Sequence, residues 1–103
     1  MLTLLEKTYR QYNRKYFRNR LPKVADVDLR WADNIPEMGY ELGGEIVLNR
    51  RYRHRAAVWK LTLLHEMVHL GLPHVKHPKR FHGKEFQKEM LRLAKAGAFK
   101  GLW

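Results

Sequence analysis

The run from Ala56 to Leu70, AAVWKLTLLHEMVHL, is apolar on nearly every side and lacks proline, yet it carries His65, Glu66 and His69 in its second half. A segment of this length that is hydrophobic all round is predicted to form a buried helix. Gly71 and Pro73 directly beyond it are expected to stop it, as glycine just past a helix end followed by proline does. Burying ionisable groups without partners in such a helix would cost several kcal/mol. A shared metal ion removes that conflict. His65 and His69 stand at i and i+4, so on a helix both imidazoles project from one face and their ring nitrogens can converge on one ion. Glu66 stands beside that face, placed to take a proton from a water that the metal acidifies and that attacks a carbonyl the metal also polarises. So short a pattern also arises by chance around ordinary histidines, but the apolar surroundings argue against that reading here.

Working upstream, Arg50-Arg51-Tyr52-Arg53-His54-Arg55 is a basic junction. Before it, Met38 to Leu42 and Glu45 to Asn49 are short alternating runs joined by Gly43-Gly44, a pair suited to the positive φ angles of a tight hairpin turn. Val27-Asp28-Leu29-Arg30-Trp31 alternates with period two and reads as a further strand, followed by a loop at Asn34 and Pro36. Together these segments predict a small antiparallel sheet of about three strands. At the N-terminus Leu2, Leu5, Tyr9, Tyr12 and Tyr16 recur in steps of three and four, the spacing of one helical face. Arg10, Arg14, Lys15 and Arg18 fall among them, and Asn19 to Pro22 is expected to end the helix.

Downstream, a loop rich in basic residues and histidines runs from His74 to His82. A final amphipathic helix is predicted over about 83–96, with Phe86, Met90, Leu93 and Ala94 on one face and Lys84, Lys88, Arg92 and Lys95 largely on the other. Gly97 and Gly101 then loosen the tail, which leaves the docking of Phe99, Leu102 and Trp103 open. The class predicted is α+β.

The 103 residues fit one domain, 1–103, and leave no room for a second. No run approaches the roughly 20 apolar residues of a membrane span, and the N-terminus has neither a basic n-region nor a long apolar stretch, so no membrane or secretory role is expected. A cytoplasmic protein is the reading. There is no cysteine, so any transition metal must be held by histidines and carboxylates. Twenty-one Lys and Arg against ten Asp and Glu give a formal net charge of +11 and a pI near 10.3, which points to a polyanionic partner.

A catalytic zinc commonly has three protein ligands and one open position. The third donor must lie downstream, where His74, His77, His82, Glu85 and Glu89 are the candidates. The pattern of metzincins is excluded, because Leu72 and Val75 stand where it requires Gly and His. Glu89, twenty residues after His69, has the separation found where a glutamate on a following helix completes a site.

Phe81-His82-Gly83-Lys84-Glu85-Phe86 resembles the His-Gly-x-x-Phe segment of the SprT-like metallopeptidase family, which includes the Spartan-type DNA-dependent proteases. The likeness extends to Tyr12-Asn13 and Phe17 in the first helix, to Gly39-Tyr40 and Ile46-Val47-Leu48-Asn49 in the hairpin, and to the last two helices. It implies a compact zincin-like protease core in which His82 is the third zinc ligand and Phe86 a core residue seating the last helix. YgjP-like metallopeptidases have a similar layout and are the neighbouring alternative. Many SprT-like proteins carry a cysteine-rich zinc ribbon after the core, and none is expected here, so contact with DNA would fall to the core itself.

The resemblance implies a zinc metalloendopeptidase acting on DNA-bound or DNA-crosslinked proteins; a monomer is expected, cytoplasmic or, if DNA-associated, at the nucleoid or in the nucleus. Single-stranded DNA is the favoured form. Arg10, Arg14, Arg18, Arg50, Arg51, Arg53, Arg55, Lys76, Lys79 and Arg80 are the candidate phosphate contacts. His74 and His77 are read as exposed loop histidines, and Glu85 as either an orienter of His82 or a helix-dipole partner. Zinc peptidases of this architecture bind extended substrate along a sheet edge, a role weighed for Tyr40 and the strand Ile46 to Asn49 against their being core and hairpin, and no catalytic role is expected of Tyr40. The alternative from another class is a nucleic-acid-binding module in which zinc only staples the fold.

Overall fold

The first helix begins where a side chain can cap it. Thr3 Oγ1 accepts from the Glu6 N–H at 3.1 Å, and the Glu6 carboxylate accepts from the Thr3 N–H at 2.9 Å. This reciprocal box satisfies donors that no helical carbonyl can reach. The computed structural model describes residues 1–72 and 82–102. It contains α1 (Leu4–Tyr16), β1 (Asp28–Ala32), β2 (Gly39–Leu42), β3 (Glu45–Asn49), α2 (Ala56–Gly71) and α3 (Lys84–Lys95). Short 3-10 turns at Val24–Asp26 and Arg50–Tyr52 join these elements. The fold is α+β, as the sequence pattern leads one to expect.

What ends α1 is not proline but a pair of left-handed residues, Arg18 (φ 53°) and Asn19 (φ 59°). The buried Asn13 fixes the turn from inside: its Nδ2 donates to the Leu21 carbonyl at 3.1 Å and its Oδ1 accepts from the Leu21 N–H at 3.2 Å. Tyr9, fully buried, donates its hydroxyl to the Pro22 carbonyl at 2.6 Å.

The sheet has the order β1-β3-β2 and is mixed, which corrects the antiparallel sheet read from the sequence. β2 and β3 form the expected hairpin, with Gly43 and Gly44 at φ 57° and 87° in its turn. β1, however, runs parallel to β3, with Leu29 opposite Ile46 and Trp31 opposite Leu48. The chain after β1 crosses to the far side of β3 before β2 begins, and Asn49 gathers that crossing segment. Its Nδ2 donates to the carbonyls of Ile35 at 3.1 Å and Glu37 at 3.0 Å. Alternation reports which face a residue takes and carries no information about strand direction. β3 is therefore central, and its Ile46, Val47 and Leu48 are fully buried.

α2 lies against this sheet with Trp59, Leu63, Leu64, Met67 and Val68 in the core, and Trp59 meets Trp31 of β1 edge-on at 5.7 Å. Gly39 is where β2 touches α2. A Cβ there would come within 2.9 Å of both Thr62 Cγ2 and Leu48 Cδ2, so only glycine permits the approach. Gly71 proves to be the last residue of α2 rather than a left-handed cap beyond it. A Cβ at that position would meet Leu21 Cδ2 at 2.8 Å, so its absence lets the α1–β1 connection close over the helix end.

α3 packs through Phe86 and Leu93, while Ala94, expected on that face, is exposed. The tail is docked: Gly97 turns the chain at φ 85°, and Ala98 and Phe99 are buried. Trp103 lies outside the described residues. Among the described residues no helix is long and apolar enough to cross a membrane.

Candidate metal centre

His65 and His69 sit one turn apart on α2, and His82 enters from the residue pair that precedes α3. Their side chains converge: His82 Nε2 is 3.2 Å from His69 Nε2 and 3.2 Å from His65 Nε2. The three donor atoms all lie within 4.8 Å of one another. A single N–H on His82 can point at only one of two acceptors, so hydrogen bonding alone does not account for both short distances. One shared cation does. Ligand nitrogens at 2.0–2.1 Å from a tetrahedral ion stand about 3.3 Å apart, close to the spacing observed.

Electrostatics prepare these rings to ligate. Burial pushes His65 down to about 4, with the neighbouring His69 and His82 adding to the effect. Burial, and then His82, also lowers His69. Both are therefore neutral at physiological pH, the form in which an imidazole nitrogen offers its lone pair. His82 is exposed, so the centre opens on its side.

Glu66 is 7% exposed, beside His65 on the inward face of α2. Burial pushes its carboxyl up to about 8, the carboxylates of Glu41 and Glu37 raise it further, and a main-chain hydrogen bond from Glu41 works in the opposite direction. The α2–β2 packing explains this neighbourhood. Gly39 rests on Thr62, and two residues along β2 Glu41 reaches Glu66, one turn along α2. No sequence pattern marks Glu37 or Glu41, because nothing local relates them to a helix position more than twenty residues away.

Phe86 does more than seat α3. Its ring contacts all three imidazoles, stacked on His69 at 4.5 Å and edge-on to His82 at 4.7 Å and His65 at 4.9 Å. It forms an apolar floor that holds the rings together from behind. Its place in the first turn of α3, just beyond the His82-Gly83 pair that leads into the helix, is the sequence signal for this role. Of the other candidate ligands, Glu89 is engaged with Arg92, and Glu85 is exposed and outside the cluster. His74 and His77 lie outside the described residues.

The basic candidates are dispersed. Arg10 and Arg14 are exposed on α1 and Arg18 just beyond it, where it lines a cleft of about 350 Å³ with Arg20 and Arg92. Arg51, Arg53 and Arg55 are exposed before α2, whereas Arg50 is paired with Asp33. Lys76, Lys79 and Arg80 lie outside the described residues. The strand Ile46 to Asn49, expected to border substrate, is the central strand, so the edge beside the centre belongs to β2 and includes Tyr40. Among the described residues, no contact aims Tyr40 at the histidines.

Comparison with known families finds a match over residues 5–101 to the model of the SprT-like family. No curated protein and no solved structure matches the chain.

Proposed function

Because this chain belongs to the SprT-like family, we propose that it is a zinc-dependent metalloendopeptidase, with His65, His69 and His82 as the metal ligands and Glu66 as general base. The observation that carries the proposal is the convergence of the three imidazole nitrogens beside a buried carboxyl group that has no cation partner among the described residues. Three histidine ligands with an open fourth position, in a chain without cysteine, suit a catalytic zinc. Zinc held there would supply Lewis acidity to a water and to a substrate carbonyl.

The remaining chemistry belongs to the chain. Glu66 takes the proton of the attacking water on a carboxylate oxygen and returns it to the leaving amine nitrogen as the peptide bond breaks. Burial makes it a stronger base than an exposed glutamate, and the main-chain bond from Glu41 limits its orientation. Phe86 excludes water from the far side of the imidazoles.

The proposed substrates are proteins bound or crosslinked to DNA, with single-stranded DNA the favoured form. The net charge of +11 supports this reading, and Arg10, Arg14, Arg18, Arg51, Arg53 and Arg55 are the exposed cations offered to phosphate. Arg50 contributes less, since Asp33 already neutralises it.

The test is cleavage of a basic DNA-binding protein with and without single-stranded DNA, by wild type and by Glu66→Gln at matched zinc content. Cleavage that DNA stimulates and the substitution abolishes supports the proposal. Equal inactivity of both at full zinc occupancy overturns it in favour of a structural zinc. Cleavage indifferent to DNA across a salt titration removes the DNA-linked substrate class and leaves the peptidase.

A further inference from the structure

In a chain with twice as many basic as acidic residues, most carboxylates would be expected to find a cation. Asp28 and Glu45 meet Arg30, Asp33 meets Arg50, and Glu89 meets Arg92. The other six, Glu6, Asp26, Glu37, Glu41, Glu66 and Glu85, meet none among the described residues, and three of them, Glu37, Glu41 and Glu66, lie where β2 passes α2, with Gly39 of β2 resting on Thr62 one turn from Glu66.

The two outer carboxylates are held there. The Glu37 carbonyl accepts from the buried Asn49 side chain at 3.0 Å, which fixes the chain entering β2. The Glu41 carboxylate accepts from the Gly44 N–H at 3.2 Å, which ties it to the hairpin turn. Beside them β2 is an edge strand, paired on one side only, with no further strand among the described residues on its outer side. An extended peptide laid along that edge passes the general base and both glutamates. Glu37 stands in the bend just before β2 and Glu41 within the strand, so the two carboxylates can meet side chains at different points along such a peptide.

We propose that Glu37 and Glu41 are specificity-determining residues that make the β2 edge prefer a substrate strand carrying lysine or arginine close to the scissile bond. This rests on the peptidase reading above and adds a substrate preference to it. It also accounts for carboxylates without cation partners beside the histidines of a basic protein: phosphate is drawn to the arginine-bearing surfaces and repelled from the cleavage site, while a cationic peptide segment is drawn in.

The experiment uses zinc-loaded wild type and a Glu37→Gln, Glu41→Gln double variant with two internally quenched peptides. The peptides share one sequence, except that lysines flanking the scissile bond in one are norleucines in the other. The wild type should favour the lysine peptide about tenfold in kcat/KM, the product of two modest partly exposed ion pairs, with the preference shrinking as salt rises. In the double variant the ratio should fall to within about twofold of unity. The ratio compares two substrates on one protein, so any general loss of activity or stability cancels.

A wild-type ratio near one, with both peptides cut, overturns the specificity proposal and leaves the peptidase reading intact. A preference that persists undiminished in the double variant assigns it to other residues and overturns the proposal equally. If zinc-loaded wild type cuts neither peptide nor a basic protein, the peptidase reading itself fails and this inference falls with it.

Discussion

Replacing Glu66 by glutamine should stabilise the metal-free protein, by an amount that depends on pH. In the unfolded chain the Glu66 carboxyl titrates near its ordinary value of about 4.3. In the folded chain it is pushed up to about 8, so between those values the folded state holds a proton the unfolded state lacks. Its contribution to stability is therefore fully present below the lower value and declines as pH rises, at about 1.4 kcal/mol per unit. His65 has the opposite sign. Its folded value of about 4 lies below the ordinary 6.5, so its contribution grows as pH rises between them.

From about pH 4.5 to 6.5 the gain from His65, to which His69 adds in the same direction, opposes the loss from Glu66, and above that only the loss from Glu66 remains. Glutamine keeps the size of the side chain and an acceptor for the Glu41 N–H, but never ionises. The stability gap between Glu66→Gln and wild type should thus widen by about 3 kcal/mol from pH 5 to pH 7.5. In a domain of this size that is more than about 10 °C in melting temperature. Thermal melts in chelator across this range measure it directly. A gap that stays constant with pH, or a wild type that becomes more stable from pH 6.5 to 8, would refute the reasoning. Restoring zinc should narrow the gap, because a nearby divalent cation favours the carboxylate.

Phe86→Ala should destabilise the fold by about 3–5 kcal/mol and weaken zinc binding by about 10–100-fold, as the floor beneath the three imidazoles is lost. Denaturant melts and competition with a chromophoric chelator read the two effects separately. Gly39→Ala should cost about 1–3 kcal/mol, since Leu48, Thr62 and the Val47 carbonyl crowd the added methyl and β2 must lift from α2. Denaturant melts measure this too, and a neutral Gly39→Ala would show that the strand yields freely there. His82→Ala removes an exposed side chain, so the metal-free melting temperature should change little while zinc-induced stabilisation largely disappears. Retention of the full zinc shift would move the third ligand elsewhere.

The motif helix is legible in the sequence because a long apolar run can carry His65, Glu66 and His69 at little cost only if something binds them, and α2 spans its expected bounds to within a residue. The hairpin is equally legible, since Gly43-Gly44 between alternating runs specifies a local turn. His82 follows from family resemblance; its spacing alone leaves His74, His77 and the two glutamates as rivals. Two glycines do more than their positions suggest. α2 does stop at Gly71, where the missing Cβ also leaves room for Leu21, and Gly97, expected to loosen the tail, instead turns it inward to bury Phe99. Both roles depend on a surface that the flanking residues do not encode.

Local pattern therefore established the helices, the hairpin turn and two of the three candidate ligand histidines, because capping, periodicity and i, i+4 spacing act over a few residues. Tertiary structure decided three things such patterns do not encode. β1 runs parallel to β3, held by a crossing segment that Asn49 collects. Phe86 lies beneath all three histidines. Glu37 and Glu41 stand beside Glu66 because β2 packs on α2 through the one residue small enough to allow it, Gly39. Each depends on which surfaces meet when the chain closes on its core, and that depends on residues distant in sequence being buried together.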